Sequence, residues 1–191
     1  MERRHQHHPD HDTYVYGRCD MAMNPTLVDS PHNITGVILF RQKVHKPLEV
    51  LIDLEGFSMA SMSNHDIQEH GFHVHQFGDL TDGCQSFGGH FDPDDVTHGS
   101  PHSDQRHRHA GDWGNIVCDN EGKVHRNLTD HNSNLVGFHS IIGRGIVIHA
   151  HKDDLGLGGV PASLKTGNAG PRLACCPIVS SKGVDWEGAQ G

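Results

Sequence analysis

The sequence predicts an all-β domain: an eight-stranded antiparallel Greek-key barrel or sandwich with two long functional loops. Three observations carry that expectation. Short β-type runs recur at hairpin spacing, punctuated by turn residues such as Lys46-Pro47 and Asn120-Glu121-Gly122. No segment sustains a helical period beyond a turn or two. Two polar, glycine-rich stretches, one inside 71–112 and one from Lys152 to Pro171, are too long for simple hairpin turns and read as walls of a single site.

In order along the chain, residues 1–12 set His5, His7, His8 and His11 among charges. They read as a disordered His-rich arm, with a loose metal-collecting tail as the sharper alternative. Strands are expected at Tyr14–Met21, Thr35–Lys43, Leu48–Glu55 and Gly71–Phe77, then at Asn115–Asp119, Lys123–Thr129, Arg144–His151 and Arg172–Val179. The domain is therefore expected to span 13–180, with 181–191 a polar C-terminal tail. At 191 residues one domain has enough chain for a proper core.

A net charge of −9 argues against nucleic acid or an anionic membrane as partner. No run of about 18 apolar residues is present to span a bilayer. No signal peptide is visible ahead of the polar Arg3-Arg4-His5 stretch, which reads as a mature start. The acceptor tripeptides at Asn33 and Asn127 fit a secreted glycoprotein. Five cysteines without C-x-x-C spacing allow up to two disulfides and one unpaired thiol, as in an oxidising compartment.

The chemistry centres on Gly71–Asp112. Alternate side chains of a strand share a face, so His73 and His75 project together while Phe72, Val74 and Phe77 supply the apolar side. His90, His98, His102, His107, His109 and Asp112 follow in a stretch with few aliphatics. A polar segment without its own core is ordered if imidazoles and a carboxylate close on metal. His73, His75, His90 and His149 offer four imidazoles to one ion, a set that suits copper. His90, His98, His109 and Asp112 offer three imidazoles and a carboxylate, a set that suits zinc. Seven residues fill eight positions only if one is shared, and the two nitrogens of His90 allow it to bridge.

These residues resemble the copper/zinc superoxide dismutase family, and its secreted branch more closely. Gly71–Thr81 matches the family's first signature and Gly167–Ile178 its second; the likeness runs from about Thr35 to Ile178. The surplus histidines resemble those of histidine-rich bivalve haemolymph proteins of the cavortin and pernin type. The resemblance implies copper on His73, His75, His90 and His149, and zinc on His90, His98, His109 and Asp112. It implies Asp153 as the outer carboxylate joining His73 to His98, and Arg172 beside copper, with Lys165, attracting an anionic substrate. It implies disulfides Cys84–Cys175 and Cys19–Cys176. The implied activity is dismutation of superoxide to dioxygen and hydrogen peroxide by Cu(II)/Cu(I) cycling, with His90 carrying a proton.

The chain departs from the family at Arg106-His107-Arg108-His109, a two-residue insertion that makes His107 a rival to His109. Pro161 and Ala162 stand where many members carry acidic residues. Pro177 and the tail alter a strand end used in the family's dimer; the resemblance implies a homodimer or higher homo-oligomer. His32, His45, His65, His70, His102, His125, His131 and His151 are expected to be solvated, His139 structural, and Cys118 packed. Beside a dismutase stand two other classes: a haemolymph carrier or store of divalent metal ions, and a defence protein on the same fold.

Overall fold

The computed structural model describes residues 13–59 and 68–189. His5, His7, His8, His11 and His65 fall outside the described residues. Among the described residues ten strands form: β1 (Tyr14–Met23), β2 (Thr35–Lys43), β3 (Leu48–Glu55), β4 (Glu69–His75), β5 (Thr81–Cys84), β6 (Asp112–Val117), β7 (Val124–Asp130), β8 (Gly145–His149), β9 (Arg172–Pro177) and β10 (Val179–Ser181). Eight of them make a nearly closed antiparallel barrel in the order β6-β4-β8-β9-β1-β2-β3-β7, with β10 added alongside β1. Across the seam between β6 and β7 the Arg126 guanidinium donates to the Asn115 carbonyl at 2.9 Å.

The barrel encloses Ile38, Phe40, Ile52, Phe72, Ile146 and Ile148, all fully buried. Trp113 leans on Phe72 and Phe40 at centroid distances of 5.9 and 6.3 Å. Each such side chain contributes about 1.5–3 kcal/mol relative to exposure. A strand with one face on the core should alternate buried and wetter residues, as β1 does from Gly17 to Ala22. Strands β4 and β8 are buried on both faces instead. The two long loops fold back over their outer side, and His73, His75 and His149 lie beneath them.

Four sequence expectations are corrected. Phe77 lies beyond the end of β4 and is 55% exposed, outside the apolar side shared by Phe72 and Val74. Strand β6 starts at Asp112, because the register shift between Gly71 and His73 brings Asp112 opposite His73. His70 is 2% exposed and not solvated; its Nδ1 donates to the His149 carbonyl at 2.8 Å. The end of the chain is no plain polar tail: β10 pairs with Tyr16–Arg18, and helix α2 (Val184–Gly188) buries Trp186 to 3% exposure. There Trp186 packs on Leu39 and Leu51 of the outer sheet face. A single aromatic in a polar stretch gives no periodic signal, so only tertiary packing reveals it.

Candidate metal centre

Strand geometry builds the first half of the site. His73 and His75 alternate with Phe72 and Val74 on β4, and β8 brings His149 to the same outer face. An isolated bridge between His75 and His90 pulls the first loop over them. The four imidazoles offer ring nitrogens that all lie within 4.8 Å of one another. His75 and His149 approach Nε2 to Nε2 at 3.2 Å. Their other nitrogens are held by main chain: Nδ1 of His75 donates to Gly88 O and Nδ1 of His149 to Gly170 O, both at 3.0 Å. That choice of tautomer leaves both Nε2 lone pairs facing inward.

The second half lies in the first loop, closed by β6. Nδ1 of His90, His98 and His109 lie 2.9, 2.9 and 3.0 Å from one oxygen, Asp112 Oδ1. The other carboxylate oxygen accepts from the backbone N–H of Gly99 and His109. His107 is exposed and pairs with Asp104, so the insertion delivers His109 to the cluster and sends its neighbour outward.

Asp153 joins the halves. Fully buried, its two oxygens accept from Nε2 of His73 and of His98, both at 2.8 Å. Asn115 clamps the Asp153 backbone from both sides, accepting at 2.7 Å and donating at 2.9 Å. Gly167 turns the second loop at φ +63°, and a Cβ there would sit 1.8 Å from Asp153 Oδ1 and 2.6 Å from His98 Nε2. Only glycine fits so close to the carboxylate.

The electrostatics follow from burial and pairing. Burial opposes charge on His98, yet Asp112 and Asp153 outweigh it and raise its pKa to about 9. Burial and the neighbouring His73 push His90 down to about 3, against the pull of Asp112. His75 and His149 are held well below the ordinary imidazole range by burial and by adjacent imidazoles. Asp112 and Asp153 stay well below the usual carboxylate range: burial alone would raise them, but their imidazole donors prevail.

In the two clusters, Nδ1 of His73 and Nε2 of His90 are buried with no hydrogen-bond partner, and Nδ1 of His98 lies 2.9 Å from Asp112 Oδ1 without the alignment of a hydrogen bond. A buried polar atom left unpaired costs about 1–3 kcal/mol. Cations at these points would satisfy all three. With Nδ1 on the Asp112 side and Nε2 among the four imidazoles, His90 faces both clusters. The donor sets, four nitrogens and three nitrogens plus one oxygen, fit copper and zinc respectively.

Arg172 is tied to the same scaffold. Its NH1 donates to Cys84 O at 2.6 Å and its NH2 to Gly88 O at 2.5 Å. Gly88 O therefore joins Arg172 to His75. Disulfide Cys84–Cys175 anchors this corner and Cys19–Cys176 ties β1 to β9. Lys165 is exposed on α1 (Ser163–Thr166), within the second loop. Cys118 is the free, buried thiol among the described residues, its Sγ 3.2 Å from Gln68 Oε1.

Sequence comparison decides the family. The model for copper/zinc superoxide dismutase matches residues 34–178. The chain belongs to the copper/zinc superoxide dismutase family. Extracellular superoxide dismutase [Cu-Zn] of Mus musculus is 41% identical over 174 residues, covering 91% of this chain and 64% of that protein. The Homo sapiens protein of the same name is 40% identical over 189 residues, covering 98% and 71%. The chain thus spans about two thirds of the length of the mouse relative. A crystal structure of the clock protein EA4 superposes with a TM-score of 0.72 at 36% identity, covering 86% of this chain and 93% of that one. Members of the family use copper and zinc, in keeping with the two clusters.

His70, Asn115 and the carbonyl of Gly88 support this dismutase-family centre without any motif to announce them, and Gly170 adds its carbonyl from within the second signature. His70 donates to the carbonyl of His149 itself, and all four act through or upon main chain.

Proposed function

We propose that the chain is an extracellular superoxide dismutase converting superoxide to dioxygen and hydrogen peroxide. Copper would be held by His73, His75, His90 and His149, and zinc by His90, His98, His109 and Asp112. The observation that carries this reading is His90, buried between two donor sets with its Nε2 unpartnered. When bound, copper supplies the one-electron couple that accepts and returns an electron between successive superoxide anions. The chain's own residues do the rest. Gly88 O and Gly170 O fix the tautomers of His75 and His149. Asp153 fixes the orientation of His73 and His98. His90 Nε2 is the atom at which a proton can be held inside the site. Arg172, braced by Cys84 O and Gly88 O, presents a fixed positive charge to a small anion, and Lys165 adds positive potential.

Replacing His75 by Ala removes one nitrogen from the copper set. Dismutation by the copper-loaded variant is expected to fall by more than the about 10–100-fold typical of outer-sphere changes. Equal rates for variant and parent would overturn the enzymatic reading. The extracellular names of the relatives and the two disulfides support secretion. A homodimer or higher homo-oligomer is proposed as the assembled state.

A second reading, carriage of divalent metal ions, draws on the six ligand histidines being outnumbered by fourteen others among the twenty. Of these, His45, His102, His107, His125, His131 and His151 are exposed. Retention of many ions per chain after dialysis, in place of two, marks this reading.

A further inference from the structure

We propose that Asn127 carries an N-linked glycan whose first sugar lies in a groove against Trp186, holding helix α2 on the barrel. The inference rests on the extracellular part of the proposed function, and begins from register. Asn127 stands opposite Leu51, and Thr129 opposite Glu49, on neighbouring strands. Cross-strand partners share a face. Leu51 belongs to the outer cluster with Leu39 and Trp186, so Asn127 and Thr129 point to the outside of the barrel beside α2. Both residues of the acceptor tripeptide are exposed.

Between them and the helix lies a groove of about 140 Å³, bordered by Glu49, Asn127, Thr129 and Trp186. Its Trp186 wall is braced by Arg41, which stacks over the indole at 4.8 Å and pairs with Glu49 at 2.5 Å. Trp186 is 3% exposed, with Arg41 over its ring and Leu39 and Leu51 packed against it, so the groove shows only an edge of the indole. A pyranose linked at Asn127 covers that edge and screens the helix contact from water. Strand β7 also ends the barrel's strand order. A bulky solubilising group on it would block edge pairing with another chain.

The covalent step is a glycosyl transfer from a lipid-linked pyrophosphate oligosaccharide. Asn127 Nδ2 bonds to C1 of the first N-acetylglucosamine, the C1–O bond to pyrophosphate breaks, lipid pyrophosphate leaves, and one amide proton is lost. Asn33 is exposed too, but it lies off the strands, its backbone N–H bonded to Gly56 O, and it is not among the residues bordering the groove at Trp186.

The test passes the full chain through the secretory pathway of insect cells behind an added leader, so that site occupancy is read independently of natural localisation and of dismutase activity. Peptide mass mapping should find the glycan on Asn127. Removing it with an amidase, or through Thr129→Ala or Asn127→Gln, should red-shift tryptophan emission and speed amide exchange of residues 184–188 several-fold. Thr35→Ala should change neither. An unmodified Asn127 in the secreted protein, or unchanged exchange at 184–188 after glycan removal, overturns the proposal.

Discussion

Stripping the protein of metal is expected to lower its melting temperature by about 10 °C or more. Six buried imidazoles and two buried carboxylates then face one another, with Nδ1 of His73 and Nε2 of His90 unpaired. An ion present at about 1,000 times its dissociation constant stabilises the folded state by ~4 kcal/mol. In a domain of this size each kcal/mol shifts melting by about 2–4 °C. Two disulfides and the apolar barrel keep the stripped chain folded, so a lower transition is expected, not its loss. Calorimetry before and after chelation and reloading measures the shift. Identical transitions in the two states would mean that the clusters are packing features only.

Asp153→Ala is expected to have the second-largest effect, although Asp153 is in neither donor set. The change strands the Nε2 protons of His73 and His98, each bonded at 2.8 Å, and removes the acceptor for the Leu155 N–H. Leaving a buried, charge-assisted partner unpaired costs about 3–5 kcal/mol. With His98 free to rotate, zinc affinity is expected to fall by about 10–100-fold. Competition against a chromophoric chelator gives the affinity and thermal melting the stability. A variant that binds zinc as tightly as the parent would remove Asp153 from its linking role.

The legible parts of this molecule are those with a local pattern. His73 and His75 fall on one face of β4 because strand periodicity places them there, and the shared ligand follows from counting donors against positions. The bounds of β2 and β3 match the β-type runs Thr35–Lys43 and Leu48–Glu55. What escaped depends on long-range register. Asp112 begins β6 only because a bulge opposite Gly71 resets the pairing. His70 looks like any surface histidine until β8 brings the His149 carbonyl to its Nδ1. Phe77 falls past the end of its strand, and strict alternation would have put it on the face of His73 and His75 rather than beside Phe72 and Val74. Trp186 sits in a polar stretch and finds its burial on the outside of a barrel, against Leu39 and Leu51.

The most direct test of the two-metal centre is anomalous scattering from crystals of the loaded protein, recorded across the copper and zinc absorption edges. The account predicts a copper peak among the nitrogens of His73, His75 and His149, a zinc peak at His98, His109 and Asp112, and the His90 ring between them. One element at both positions, or a His90 ring turned away from either peak, would contradict it.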